Sequence, residues 1–178
     1  MKKTRQSLLK TISNIGKAAA IGQNPETTLA GMGREILSLM DAQIILLGLH
    51  DPHEDTLHLQ LLDRKTDALQ TWTLPRSQNR DSLGQILKNR QGLVIDHLLA
   101  DFPEAFTGHT SGPWLGVPLM AGEQTLGLLC VKKASAKTFD PDEQELLALL
   151  ADLAAASIDR IRLAQEHEKR ALELSILN

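Results

Sequence analysis

Two short apolar runs, Trp114–Met120 and Thr125–Val131, joined only by Ala121-Gly122-Glu123-Gln124, constrain this chain more than any other feature. Both are rich in Leu and Val, too short for ordinary helices, and bounded by turn residues. Such a pair reads as a β-hairpin with both faces covered. Pro118 has no N–H to donate, so the first strand is expected to be an edge, bulged or irregular at that point. Gly116 and Gly127 carry no side chain and leave gaps on the pleat, where a backbone or a small ligand can approach closely. The hairpin, with Leu128 on its second strand, therefore reads as both core and the wall of a pocket.

Around this hairpin the chain punctuates itself. Leu8, Ile12, Ile15 and Ala19 follow four-three-four spacing, an apolar seam on a first helix that should stop near Gly22. Asn24-Pro25-Glu26 opens a second helix, with Asn as N-cap, Pro at the first helical position and Glu at the positive end of the dipole. Leu29, Gly33, Ile36 and Met40 form its buried stripe. Ile44–Leu49 is a continuous apolar run and predicts a central strand; Leu57, Leu59 and Leu61 alternate with polar residues as a half-exposed one. Gln70–Leu74 alternates again. Asp81 or Ser82 caps a short helix through Leu83, Ile86 and Leu87, and Leu93-Val94-Ile95 is a brief strand. Asp96–Gly112 reads as a long loop, a kind of segment that is often functional. Asp140-Pro141-Asp142-Glu143 is a strong helix start, and the helix runs towards the C-terminus with an apolar stripe through Leu146, Leu149, Leu150, Leu153 and Ile161. Polar Gln165–Arg170 then interrupts it, so no single heptad register is sustained and the helix is expected to leave the domain. This order argues an α+β fold with helices layered on a sheet.

The hairpin and the helix after it also carry a family resemblance. Leu115–Leu119, Gly122, Leu126–Val131, Phe139, Asp142 and the Leu/Ala helix Leu146–Leu163 resemble, in order, the C-terminal half of a GAF domain, a sensor module of bacterial signalling proteins. The resemblance spans about Thr28 to Leu163. It implies a six-stranded antiparallel sheet of GAF/PAS-like type, terminal helices packed on one face and a loop-covered pocket on the other. The expected organisation is an amphipathic dimerisation helix (1–22), a GAF-like sensor domain (23–163) and a connector helix (164–178). Departures narrow the subgroup. The several cysteines of GAF-like methionine sulfoxide reductases are absent, Asp96–Gly112 holds no cysteine for a bilin, and the Asn-Lys-Phe-Asp-Glu signature of cyclic-nucleotide binders is missing.

Composition excludes further classes. Nineteen basic against twenty-two acidic residues leave a net charge of −3, without the basic excess that nucleic acid demands. One cysteine rules out an internal disulfide framework and fits a reducing compartment, hence the cytoplasm. No apolar run approaches the roughly 18 residues of a membrane span. Lys10 and Lys17 interrupt any signal-peptide core in the first helix. His50, His53 and His58 lie close in sequence, but scattered histidines on a solvated turn explain them better than a metal site. Gly108-His109-Thr110-Ser111-Gly112 lacks the central serine and the helix of a nucleophile elbow. Gly31-Met32-Gly33 lacks the strand and third glycine of a dinucleotide site. Cys130, mid-strand among Leu128, Leu129 and Val131, reads as a small buried hydrophobe.

The function expected is therefore a cytoplasmic, non-enzymatic regulatory domain that senses a small molecule and passes its state through the terminal helices to an output domain in a longer chain. The alternative is a structural homodimerisation module with a collapsed pocket. The expected pocket lies between the hairpin and the Asp96–Gly112 loop. Trp72, Phe102, Phe106 and Trp114 would be its apolar walls, Gly116, Pro118 and Leu128 its floor, and Asp96, His97 and His109 its polar contacts. The competing reading of the same residues is a self-packed loop with solvated tips and rim-of-core tryptophans. No cofactor is assigned by these residues. The expected partners are a second copy, through a parallel bundle of first and last helices, and the unidentified ligand; neither nucleic acid nor a membrane is expected.

Overall fold

Helix caps and turns set the element boundaries. In the structure, a computed structural model that describes residues 5–22, 24–75, 82–98, 108 and 111–178, the order is α1 (Arg5–Ile21), α2 (Pro25–Leu39), β1 (Ala42–Asp51), β2 (Thr56–Asp63), β3 (Ala68–Pro75), α3 (Ser82–Asn89), β4 (Leu93–His97), β5 (Ser111–Ala121), β6 (Gln124–Lys133) and α4 (Pro141–Leu177). Asn24 Oδ1 accepts from the Glu26 and Thr27 amides at 2.9 and 3.2 Å, which satisfies the first donors of α2. Asp140 and Glu143 form a reciprocal capping box on α4, with each side chain accepting from the other's backbone N–H. Asp41, Asp55 and Asp67 hold left-handed backbone at the turns leading into β1, β2 and β3, a conformation that aspartate tolerates better than most residues.

The strands form one six-stranded sheet in the order β3-β2-β1-β6-β5-β4. Every pairing is antiparallel. The hairpin β5–β6 turns tightly at Gly122, whose φ of +61° suits glycine. β5 is not a sheet edge as a whole, because β4 pairs beside it. That pairing begins only at Leu93 opposite Gly116. Pro118 therefore sits where β5 has β6 alone as partner, and the register shifts just beyond, between Leu119 and Met120. The missing N–H is placed at a locally unpaired edge.

Alternation along the strands splits the core into two layers. Ile45, Leu47, Leu49, Leu62, Leu115, Val117, Leu119, Leu129 and Val131 point to one face and pack with α1, α2 and α4. Ile44, Leu46, Leu57, Leu59, Leu61, Leu128 and Cys130 point to the other and meet Leu83, Ile86 and Leu87 of α3. β2 is thus buried on both faces along most of its length, not half-exposed: its alternation ends at Leu61-Leu62, one for each layer.

Two helices face differently from the sequence expectation. On α1 the inward residues are Leu8, Thr11, Ile15 and Ala19, while Ile12 is 40% exposed. On α4 the buried stripe runs through Leu147, Leu150, Ala151, Ala154, Ala155, Ile158 and Ile161. Leu146 and Leu153 are only partly covered, and Leu149 stands outward at 60% exposure. Both helices carry apolar residues on more than one side, and packing selected the side with the smaller residues, which lets α4 lie close to β5 and α2.

Candidate functional site

The outer sheet face, away from α1, α2 and α4, carries four of the expected pocket residues, three on the β5–β6 hairpin and Trp72 four strands from β5, on edge strand β3. Trp72, opposite Leu59 on the β2–β3 ladder, is half-buried against the outer layer. Trp114 and Leu128 are fully buried in the same layer, so Trp114 is core rather than rim. Lys132, its cross-strand partner, places Nζ 5.9 Å from the Trp114 ring centroid, within cation–π range. Burial holds the Lys132 ammonium below its usual pKa. Pro118 lies opposite Leu128.

The gaps expected at glycines are filled by the protein itself. A methyl on Gly116 would collide with Ile86 of α3 and press on Cys130 Sγ, and one on Gly127 would strike the Gly48 carbonyl of β1. Gly116 thus seats a helix on the sheet, and Gly127 lets β1 and β6 approach. Asp96 is exposed on β4, and the His97 backbone pairs with Ser111. Phe102, Phe106 and His109 lie outside the described residues. The Asp96–Gly112 segment is shorter as a loop than expected, since β4 takes Asp96 and His97 and β5 begins at Ser111.

Three grooves of about 580 to 630 Å³ open elsewhere on the described surface. One lies at the start of β1 beside Arg64, Lys133 and Glu143. There Lys133 Nζ bridges Glu143 at 2.6 Å and stacks 4.9 Å from the Phe139 ring. A second runs between α4 and the β1–β2 turn, lined among others by Asp51, His53, His58 and Arg162. On its wall His58 Nδ1 lies 3.1 Å from Thr73 Oγ1, and nearby His50 Nε2 lies 3.0 Å from Asp55 Oδ1. The His53 and Glu54 amides donate to the Asp51 carboxylate and hold its pKa below the usual carboxylate value. Among the described residues, no three His, Cys, Asp or Glu side chains converge as metal ligands. Burial pushes the Cys130 thiol far up, which removes its nucleophilic form.

Sequence reasoning missed Arg162. Its Nη2 donates to the His50 carbonyl at 2.9 Å, across 112 residues of chain. It follows Ile158 by one helical turn and is the first charged residue to occupy the sheet-facing stripe. Beyond it α4 is exposed, Leu163, Leu172, Leu174, Ile176 and Leu177 included, and its next turns line the groove beside the β1–β2 turn. Arg162 thus fastens the end of the sheet to the helix where that helix departs.

A single antiparallel sheet with long first and last helices on one face and a short helix on the other defines a layered α+β fold. The chain belongs to the GAF domain family, whose model matches residues 22–159. The sensor histidine kinase YhcY of Bacillus subtilis is 29% identical over 184 residues, covering 97% of this chain and 47% of that protein; the chain thus spans about half of its curated relative's length. Two solved structures share the fold. The GAF domain of a phosphoenolpyruvate-protein phosphotransferase from Coxiella burnetii superposes with a TM-score of 0.70 at 18% identity, covering 92% of this chain and 99% of that one. A free methionine-R-sulfoxide reductase from Neisseria meningitidis, in complex with its substrate, gives 0.63 at 17% identity, with 92% and 96% covered. The fold is thus shared with a GAF domain of a phosphotransferase and with an enzyme. No helix among the described residues is long and apolar enough to cross a membrane.

Proposed function

We propose that this chain is a cytoplasmic, non-enzymatic sensory domain of a signal-transduction protein, coupled through α1 and α4 to an output domain in a longer chain. The observation that carries this reading is α4 itself. One unbroken helix, Pro141–Leu177, packs on the sheet as far as Ile161, is tied to the β1–β2 turn by Arg162, and then continues outward as an exposed rod. A shift of the sheet has a rigid path to the output module. Similarity to a sensor histidine kinase twice the length of this chain supports an output module of that kind. The sensed molecule is a small ligand on the outer sheet face near Trp72. It acts by binding two arrangements of that face with different affinity. The helices form a parallel homodimer. Leu9 and Ile12 of α1 and Leu149, Leu163 and Leu177 of α4 are exposed, and the three α4 leucines stand fourteen residues apart, two heptads each.

A second reading has its own observation. Ile86 over Gly116 and the full burial of Trp114 favour an outer face closed by the protein's own side chains, hence a dimerisation module without a ligand. Native mass spectrometry of the purified protein separates the two. A small molecule retained by the wild type, and lost from Trp72→Ala but kept by a Leu→Ala change on the helix-covered face, is the expected result. Bare protein in every preparation, with the dimer intact, would establish the second reading instead.

A further inference from the structure

The two edges of the sheet are built differently. β4 is five residues long, its register shifts between Ile95 and His97, and Asp96 stands exposed on it. Shortness, irregularity and charge are the means by which proteins keep a strand edge from pairing with another chain. β3 has none of them. It pairs with β2 over eight residues, Ala68–Pro75, without a register shift. Its sequence, Ala-Leu-Gln-Thr-Trp-Thr-Leu-Pro, contains no charged side chain, and Pro75 is its last residue. Residues Ala68–Thr71 and Thr73 are exposed. Among the described residues, no strand pairs with its outer edge.

We propose that β3 is a self-pairing edge, at which a second copy of this chain adds its own β3 antiparallel to extend the sheet. Only an extended backbone can satisfy a row of strand N–H and C=O groups, and the side-chain sequence selects an identical strand. Side chains opposite one another in an antiparallel pair lie on the same face, so a two-fold axis must pass through a residue. Centring it on Thr71 pairs Ala68 through Leu74 and leaves Pro75 outside the new ladder. Centring it on Trp72 brings Pro75, which has no N–H, into the ladder. The Thr71 register places threonine against threonine, small Ala68 against large Leu74, and Gln70 against Trp72. The half-buried Trp72 and Leu74 at the rim of the outer layer gain cover from the partner. With no charge within either strand, no like-charge pair falls inside the new ladder. At about 3.4 Å per residue the contact is only about 24 Å long, so pairing is weak and concentration-dependent. It lies across the sheet from β4 and is separate from the α1–α4 faces.

Cysteine trapping tests it in the full chain, where native Cys130 is buried and silent. Thr71→Cys under mild oxidation at tens of micromolar should form a disulfide-linked dimer about tenfold or more faster than Glu123→Cys, an equally accessible thiol in the β5–β6 turn. Adding Thr73→Lys should abolish that advantage, while circular dichroism of the reduced proteins stays unchanged. Equal rates at positions 71 and 123, trapping indifferent to Thr73→Lys, or adducts with other proteins only would each overturn self-pairing. Because the readout is a thiol at the sheet edge, helix-mediated dimerisation neither produces nor masks the result.

Discussion

Gly116 shows how one missing side chain organises a sheet face. It sits on β5 opposite Cys130, with Ile86 of α3 occupying the space a methyl would need. Gly116→Ala should cost about 1–3 kcal/mol through overpacking. Ile86→Val in the same background should return part of that loss, a non-additivity that a urea-denaturation cycle measures directly. Cys130 offers a pH test with a definite sign. Its folded-state pKa is raised by burial, so the native chain keeps the proton that the unfolded chain releases. The contribution is fully present below the unfolded thiol's value and is lost as pH rises above about 8.5. Stability of the wild type relative to Cys130→Ala should therefore fall between about pH 8 and 10. The lowered Lys132 acts in the opposite direction but is common to both proteins and cancels in the difference. A flat difference would mean that the thiol is not held neutral.

Among the elements, α4 joins two functions that the chain separates only by burial. Its first half is core and its second half is exposed, and Arg162 marks the change. Replacing Arg162 by Ala removes a charged donor from the His50 carbonyl. Because the site is partly exposed, the cost should lie near the low end for such bonds, about 1 kcal/mol. Hydrogen exchange should report it locally. Amides of the β1–β2 turn and of α4 after Ile161 should lose protection, while the centre of β6 keeps its own. Uniform loss across the sheet would mean that Arg162 only stabilises the fold.

For the whole molecule, assembly is the quantity to measure. Leu149 and Leu163 are 60% and 49% exposed, so replacing both with Glu should leave the fold intact. In a parallel helical dimer the same change buries like charges across the seam and should halve the mass seen by light scattering at tens of micromolar. An unchanged mass with an unchanged circular dichroism spectrum would exclude these leucines from the interface.

What the sequence determined by itself was local chemistry. The Asn24 and Asp140 caps, the Pro118 irregularity, the Gly122 turn and the two apolar runs each act within a few residues, and together with the order of the elements they made the sheet and the family legible. Of the expected pocket, Trp114, Gly116 and Leu128 could be placed near one another because strand alternation put them on one face of the hairpin, whereas Trp72 shares that face from β3, at the far edge of the sheet. What filled that face could not be read: nothing near Gly116 in sequence names Ile86, thirty residues earlier and on another element. Helix facing was undecided for the same reason. Thr11 and Ile12, or Leu147 and Leu149, stand on different sides of helices with apolar residues on more than one side, and periodicity alone does not choose between two usable stripes. The tertiary structure chose by fit, turning Leu147, Leu150 and the smaller alanines of α4 inward and leaving Leu149 and Leu163 outside. Arg162 reached a carbonyl 112 residues away, and β3 became an edge only because β2 alone pairs with it. Local patterns specify elements; which surfaces meet is decided by shape and burial summed over the whole chain.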